Sequence, residues 1–96
     1  MSVYEKFRER FAEYEQQPGD FFIPAKKIQQ ALDLLDELCP DFQYTLPSAD
    51  GAYRTKHFIW FPPDIAHPDS VRVVFPQIYV PARYLQLTTR LNLSVE

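Results

Sequence analysis

The spacing of apolar residues changes at Pro40, and that change limits the fold more than any other feature of the chain. Before it, Tyr4, Phe7, Phe11 and Tyr14 recur at helical intervals, which sets all four side chains on one face of a helix. The pattern predicts a first helix over residues 3–17, stopped by Pro18-Gly19-Asp20. Phe21, Phe22 and Ile23 follow as an apolar bridge, and Ile23 is biased toward an extended backbone by the proline after it. Pro24 suits the first position of a helix. Ile28, Ala31, Leu32, Leu35 and Leu38, with Leu34 at the margin, give that second helix a buried face that Pro40 closes.

After Pro40 come runs rich in aromatic and β-branched residues, punctuated by proline. Residues 42–46 and 53–61 read as strands of a hairpin joined at Ser48-Ala49-Asp50-Gly51, with Gly51 supplying a positive φ. Pro62-Pro63 ends the second strand and residues 64–70 form a loop. Residues 71–80 read as a third strand, which Pro76 assigns to a sheet edge or a bulge because it cannot donate to a ladder. Leu85, Leu87, Leu91, Leu93 and Val95 favour a further strand over 85–95, although Tyr84, Leu87 and Leu91 also fit a helix after Pro81. The expected architecture is α+β: two N-terminal helices packed on a three- to four-stranded, mainly antiparallel sheet. The 96 residues are expected to form one compact domain, helical over about 3–38 and sheet over about 42–95.

Composition removes several function classes. Only two glycines, Gly19 and Gly51, are present, which excludes a glycine-rich phosphate loop or a dinucleotide fingerprint. One cysteine, Cys39, permits no internal disulfide and no Cys-rich zinc site. It reads as a small buried hydrophobe rather than a nucleophile. No apolar run approaches the roughly 18–20 residues that span a bilayer, and the glutamate-rich N-terminus does not resemble a secretory leader. The expectation is a cytoplasmic protein with no membrane partner. The formal charge is −3, which argues against broad binding to a phosphate backbone.

His57, Asp64, His67 and Asp69 could supply a metal's ligands, but no helical pair fixes their geometry and they read equally as polar loop and strand residues. His67-Pro68-Asp69 repeats the tripeptide of J-domain cochaperones without the flanking helices that give it meaning there. No general acid–base pair stands out, so neither an enzyme nor a cofactor is expected.

Two surfaces remain. Helix two carries Lys26 and Lys27 at its start and Asp33, Asp36 and Glu37 near its end, with Asp41 just beyond, against the direction its macrodipole favours. An acidic face built at that cost suits a basic surface on a protein partner, and Glu5, Glu9 and Glu13 on the first helix could extend it; its bland alternative is a solvated face. The second surface is basic and aromatic: Arg54, Lys56, Phe58 and Trp60 alternate onto one side of a continuous strand, with Arg72 from a neighbour, and could bind single-stranded nucleic acid. The aromatic helix face and an edge strand also suit a homodimer. The expected function is a non-enzymatic protein-binding module, an adaptor or inhibitor. In style it is similar to the small acidic proteins of phages and mobile elements that block host machinery. The alternatives are a single-stranded nucleic-acid binder and a small metal-dependent enzyme.

Overall fold

A computed structural model describes residues 2–79, so the strand expected over 85–95 lies outside the described residues. The fold is α+β, with a five-stranded antiparallel sheet in place of the expected three or four strands. In chain order the elements are α1 (Val3–Phe11), β1 (Glu15–Gln17), β2 (Asp20–Pro24), α2 (Ile28–Leu38), β3 (Tyr53–Arg54), β4 (Ile59–Phe61) and β5 (Ser70–Val74). Across the sheet the order is β1-β2-β5-β4-β3. Among the described residues no helix is long and apolar enough to cross a membrane.

Helix α1 begins with a capping box. The Glu5 amide donates to Ser2 Oγ at 3.1 Å, and the Ser2 amide donates back to Glu5 Oε1 at 3.2 Å. It stops at Phe11 rather than near residue 17. A single 3₁₀ turn over Ala12–Tyr14 then feeds β1, which folds back on β2 through Pro18-Gly19. The apolar bridge Phe21-Phe22-Ile23 is therefore the middle of β2.

Three further expectations change. Residues 42–46 are not a strand, because the chain after Pro40 continues as a 3₁₀ helix over Pro40–Tyr44. The run 53–61 is two strands rather than one. Thr55 Oγ1 accepts from the amides of His57 and Phe58 at 3.2 and 3.1 Å and breaks the ladder there. Finally, β5 is not an edge strand. It pairs with β2 on one side and β4 on the other. It ends at Val74, before Pro76 would interrupt a ladder.

One buried cluster joins the elements. Phe7 and Phe11 of α1 and Ala31, Leu34 and Leu35 of α2 share it with Phe21 and Ile23 of β2, Trp60 of β4, and Val71 and Val73 of β5. The register accounts for this, since Phe21 pairs with Val73, Ile23 with Val71 and Trp60 with Val73. Partners across an antiparallel pair project to the same side. Phe7 meets Phe21 edge-on with ring centroids 4.9 Å apart, and Phe42 meets Phe58 in the same way at 5.0 Å.

Two contacts fix the β1–β2 turn. Gly19 has φ +79°, and a Cβ there would lie 2.8 Å from the Tyr79 backbone nitrogen and 2.9 Å from Ile78 Cβ. Its carbonyl accepts from the Phe75 amide at 2.8 Å. Glu15 ties the same turn to α1, accepting from the Tyr4 hydroxyl at 2.6 Å, the Gly19 amide at 2.9 Å and Arg8 Nε at 2.8 Å. Burial alone would raise the Glu15 pKa. The hydrogen bonds from Tyr4, Gly19 and Arg8, with the Arg8 charge, outweigh it and hold the carboxyl below its ordinary 4.5.

Two predictions follow from this turn. Gly19→Ala destabilises by about 2 kcal/mol or more, since it adds a steric clash to a strained φ. Gly51→Ala, at φ +85° with open space around it, costs only about 1 kcal/mol. Urea denaturation checks the difference, and equal losses would contradict the close packing at Gly19. For Glu15, the depressed folded-state pKa means its contribution is complete above the unfolded-state value and disappears as pH falls through the folded-state one. The stability gap between wild type and Glu15→Gln is expected to be constant near neutrality and to close below about pH 4.5, followed by thermal melts across pH.

Candidate functional site

The acidic residues of α2 border two different grooves. Asp36 and Glu37 are consecutive and so point about 100° apart around the helix. Asp33 and Glu37 line a groove of about 300 Å³ toward α1, shared with Arg10, Glu13, Tyr14 and Lys27. Two cations enter that groove, so it is mixed in charge. Gln29 Nε2 donates to Asp33 at 2.9 Å. Glu5 and Glu9 line a separate hollow on α1 with Tyr4 and Arg8, and the carboxylate of Glu5 is occupied by the Ser2 cap, whose hydrogen bonds lower its pKa. Asp41 is exposed on the 3₁₀ helix after Pro40.

Asp36 borders a different groove on the other flank of α2. This one holds about 350 Å³ and is lined by Leu32, Phe42, Tyr53, Trp60 and Pro62 as well as Asp36. Each wall has a local cause. Helical spacing puts Leu32 and Asp36 one turn apart on α2. The 3₁₀ helix after Pro40 brings Phe42 against Trp60, with ring centroids 5.7 Å apart. Edge strand β3 supplies Tyr53, which pairs with Trp60. Tyr44 and Leu46, which follow Phe42 in the chain, are 78% and 83% exposed. The residues between and beside them, Gln43 and Thr45, are the ones that line the groove.

The basic-aromatic platform is dispersed. Phe58 and Trp60 are buried in the core at 0% and 5% exposure, so neither ring is open for base stacking. The turn at Thr55 breaks the alternation that was to align them with Arg54 and Lys56. Arg54 instead grips Asp50 through both terminal nitrogens, at 3.0 and 2.8 Å, and that contact holds the Asp50 carboxyl far below its ordinary value. Lys56 is exposed in the turn. Arg72 lies on the other face of the sheet from Trp60, because Trp60 pairs with Val73 and Arg72 with Phe61.

That other face holds an arrangement the sequence reading missed. Phe22 of β2, Arg72 of β5 and Phe61 of β4 form one row across three neighbouring strands. The guanidinium carbon of Arg72 sits 5.5 Å from the Phe22 ring centre, 5.7 Å from Phe61 and 5.4 Å from Tyr79, distances that permit cation–π attraction from all three. Its Nε donates to Asp20 Oδ1 at 2.7 Å. Asp20 is buried at 4% exposure. The Asp20 carboxylate, with a smaller contribution from the Tyr79 phenol, raises the Arg72 pKa above its ordinary value despite partial burial. The loop over 62–69 folds beside this row, and His67 lies over Phe22 with ring centroids 5.1 Å apart. The signal was present in the valines that flank a lone arginine in Val71-Arg72-Val73. Without β2 read as a strand, nothing showed what the arginine would face.

The remaining candidates stay apart. His67 and Asp64 close a small turn, in which the His67 amide donates to Asp64 Oδ1 at 2.8 Å. Their side chains are 3.9 Å apart. Among the described residues no three His, Cys, Asp or Glu side chains are grouped to hold a metal ion, so His57 and Asp69 do not complete a ligand set with them. Cys39 is buried at 7% exposure, in line with a packing role. Compared with protein-family models, curated proteins and solved structures, the chain matches none.

The Asp20–Arg72 and Asp50–Arg54 ion pairs differ in what they carry. Asp20→Asn is expected to cost about 2 kcal/mol, because a hydrogen bond to a charged group is lost at a buried site and Arg72 loses its counter-charge. Asp50→Asn at the solvated pair with Arg54 is expected to cost measurably less. Chemical denaturation of the two variants side by side checks this, and a larger loss at Asp50 would contradict the ranking.

Proposed function

We propose that the protein is a non-catalytic protein-binding module, an adaptor or inhibitor, that docks its partner in the groove between α2 and the aromatic edge of the sheet. The observation that carries this reading is the juxtaposition of Asp36 with Leu32, Phe42, Tyr53 and Trp60 around one open groove. Tyr44 and Leu46 stand exposed on the segment that leads away from it. A groove walled by aromatics with a carboxylate at its rim suits an anchor residue of a partner, the arrangement that dominates the energetics of many interfaces. The rim charge selects the occupant, a partner segment that presents an apolar side chain beside a lysine or arginine. The acidic balance of residues 1–40, with eight Asp/Glu against five Lys/Arg, favours approach of the same basic surface.

The test is a tagged pull-down from source-cell lysate with nuclease present, using wild type, Asp36→Lys and Tyr44→Ala/Leu46→Ala. A stoichiometric protein is expected to survive nuclease and to be lost, or reduced at least tenfold, in both variants while their melting temperatures hold. Retention of the same protein by both variants would overturn the groove as the docking site. Recovery that disappears with nuclease would overturn the protein-binding reading itself.

A further inference from the structure

The face of the sheet that carries Arg72 holds a pocket of its own. About 190 Å³ is enclosed by Phe22, Phe61, Pro62, Ala66, His67, Ser70 and Arg72, with Asp64 at its side. Its apolar walls come from the sheet (Phe22, Phe61) and the loop (Pro62, Ala66), and its polar groups from the loop and from β5. A guanidinium carries five N–H donors in a rigid fork. The bond to Asp20 uses Nε and the Tyr79 phenol also acts on the guanidinium, so the terminal amino groups are the donors Arg72 can turn toward a ligand. The rings of Phe22 and Phe61 lie 5.5 and 5.7 Å from the guanidinium carbon, and the Asp20 bond ties down its Nε edge. An arginine held at one edge in this way is pre-organised for a second, planar partner, with little further rotamer entropy to lose.

We propose that this pocket binds the terminal carboxylate or phosphate of a small molecule whose remaining body is apolar. The anion would take its hydrogen bonds from Arg72 and the Ser70 hydroxyl, and the apolar body would lie against Phe22, His67 and Phe61. The volume is smaller than that of most sites for whole ligands, so it accommodates one head group and the atoms next to it. Two carboxylates border the site. Asp20 is engaged at the far edge of the guanidinium, and Asp64 accepts from the His67 amide. The Asp64 charge opposes an anion, and this makes the sign of the ligand testable. This site is separate from the α2 groove and does not depend on the function assigned to that groove.

The experiment follows the Arg72 Nε–H and Ser70 amide resonances of the full chain while benzoate, phenyl phosphate or benzylamine is added. Saturable shifts are expected with benzoate or phenyl phosphate, and the stronger of the two identifies the head group. Asp64→Asn preserves an acceptor for the His67 amide and is expected to tighten the anion about threefold by removing a repulsive charge. Arg72→Lys is expected to weaken it about tenfold, because an ammonium cannot serve Asp20 and a planar anion together. His67→Ala and Ser70→Ala give the same comparison if the lysine variant does not fold, each with an expected loss of several-fold at unchanged melting temperature. Saturable binding of benzylamine alone, weakening in Asp64→Asn, or the absence of saturable shifts with either anion would overturn the proposal.

Discussion

A charged side chain in the middle of the central strand has to be satisfied, and that requirement organises much of what surrounds it. β5 is hydrogen-bonded on both sides, and Val71 and Val73 are committed to the core. Strand alternation then forces Arg72 onto the opposite face. An uncompensated guanidinium there would carry a desolvation cost that takes up a sizeable part of the marginal stability of a domain of this size. Asp20 supplies the counter-charge at 2.7 Å. It can do so because the tight Pro18-Gly19 turn starts β2 at that residue. The aromatic row of Phe22 and Phe61 and the ring of Tyr79 complete the enclosure. Gly19 thus serves two ends: its positive φ makes the turn, and its missing side chain lets the segment after β5 close over the same corner.

The consecutive residues Trp60 and Phe61 divide the molecule in the same way. Trp60 turns into the core and shows its edge to the α2 groove, while Phe61 turns out toward Arg72. Pro62, next in the chain, borders both the groove and the Arg72 pocket. Two recesses of different chemistry, one apolar with an acidic rim and one apolar with a fixed cation, are therefore separated by a single strand end.

The helices were legible in the sequence because their signal is local. Tyr4, Phe7, Phe11 and Tyr14 lie within eleven residues, and the buried set on α2 repeats in the same way; a 3.6-residue period needs no knowledge of any partner. The sheet was harder to read. β2 has five residues, of which Phe21, Phe22 and Ile23 are all apolar, so period-2 alternation is hidden. Phe22 is apolar for the sake of a cation on another strand. The run 53–61 looked continuous because Thr55 has high strand propensity, yet its hydroxyl captured two amides and made a turn. At the candidate sites, Asp33 and Glu37 are exposed and Asp36 is half-buried, and their division between two grooves depends on what packs beside α2. The Arg72 row depends on register between strands far apart in sequence, which no single-strand pattern contains.

Both outer strands of the sheet are very short: β1 has three residues, with a register irregularity, and β3 has two. A strand that brief offers too few unpaired amides and carbonyls for another chain to zip onto it, and Glu15 and Arg54 add a charge to each edge, so both devices guard the described sheet against cross-β templating. Among the described residues, that brevity leaves the edges little backbone to offer for β-augmentation. Recognition at such edges would rest on side chains, a handful of rings and charges that single substitutions can retune without disturbing the ladder beneath them.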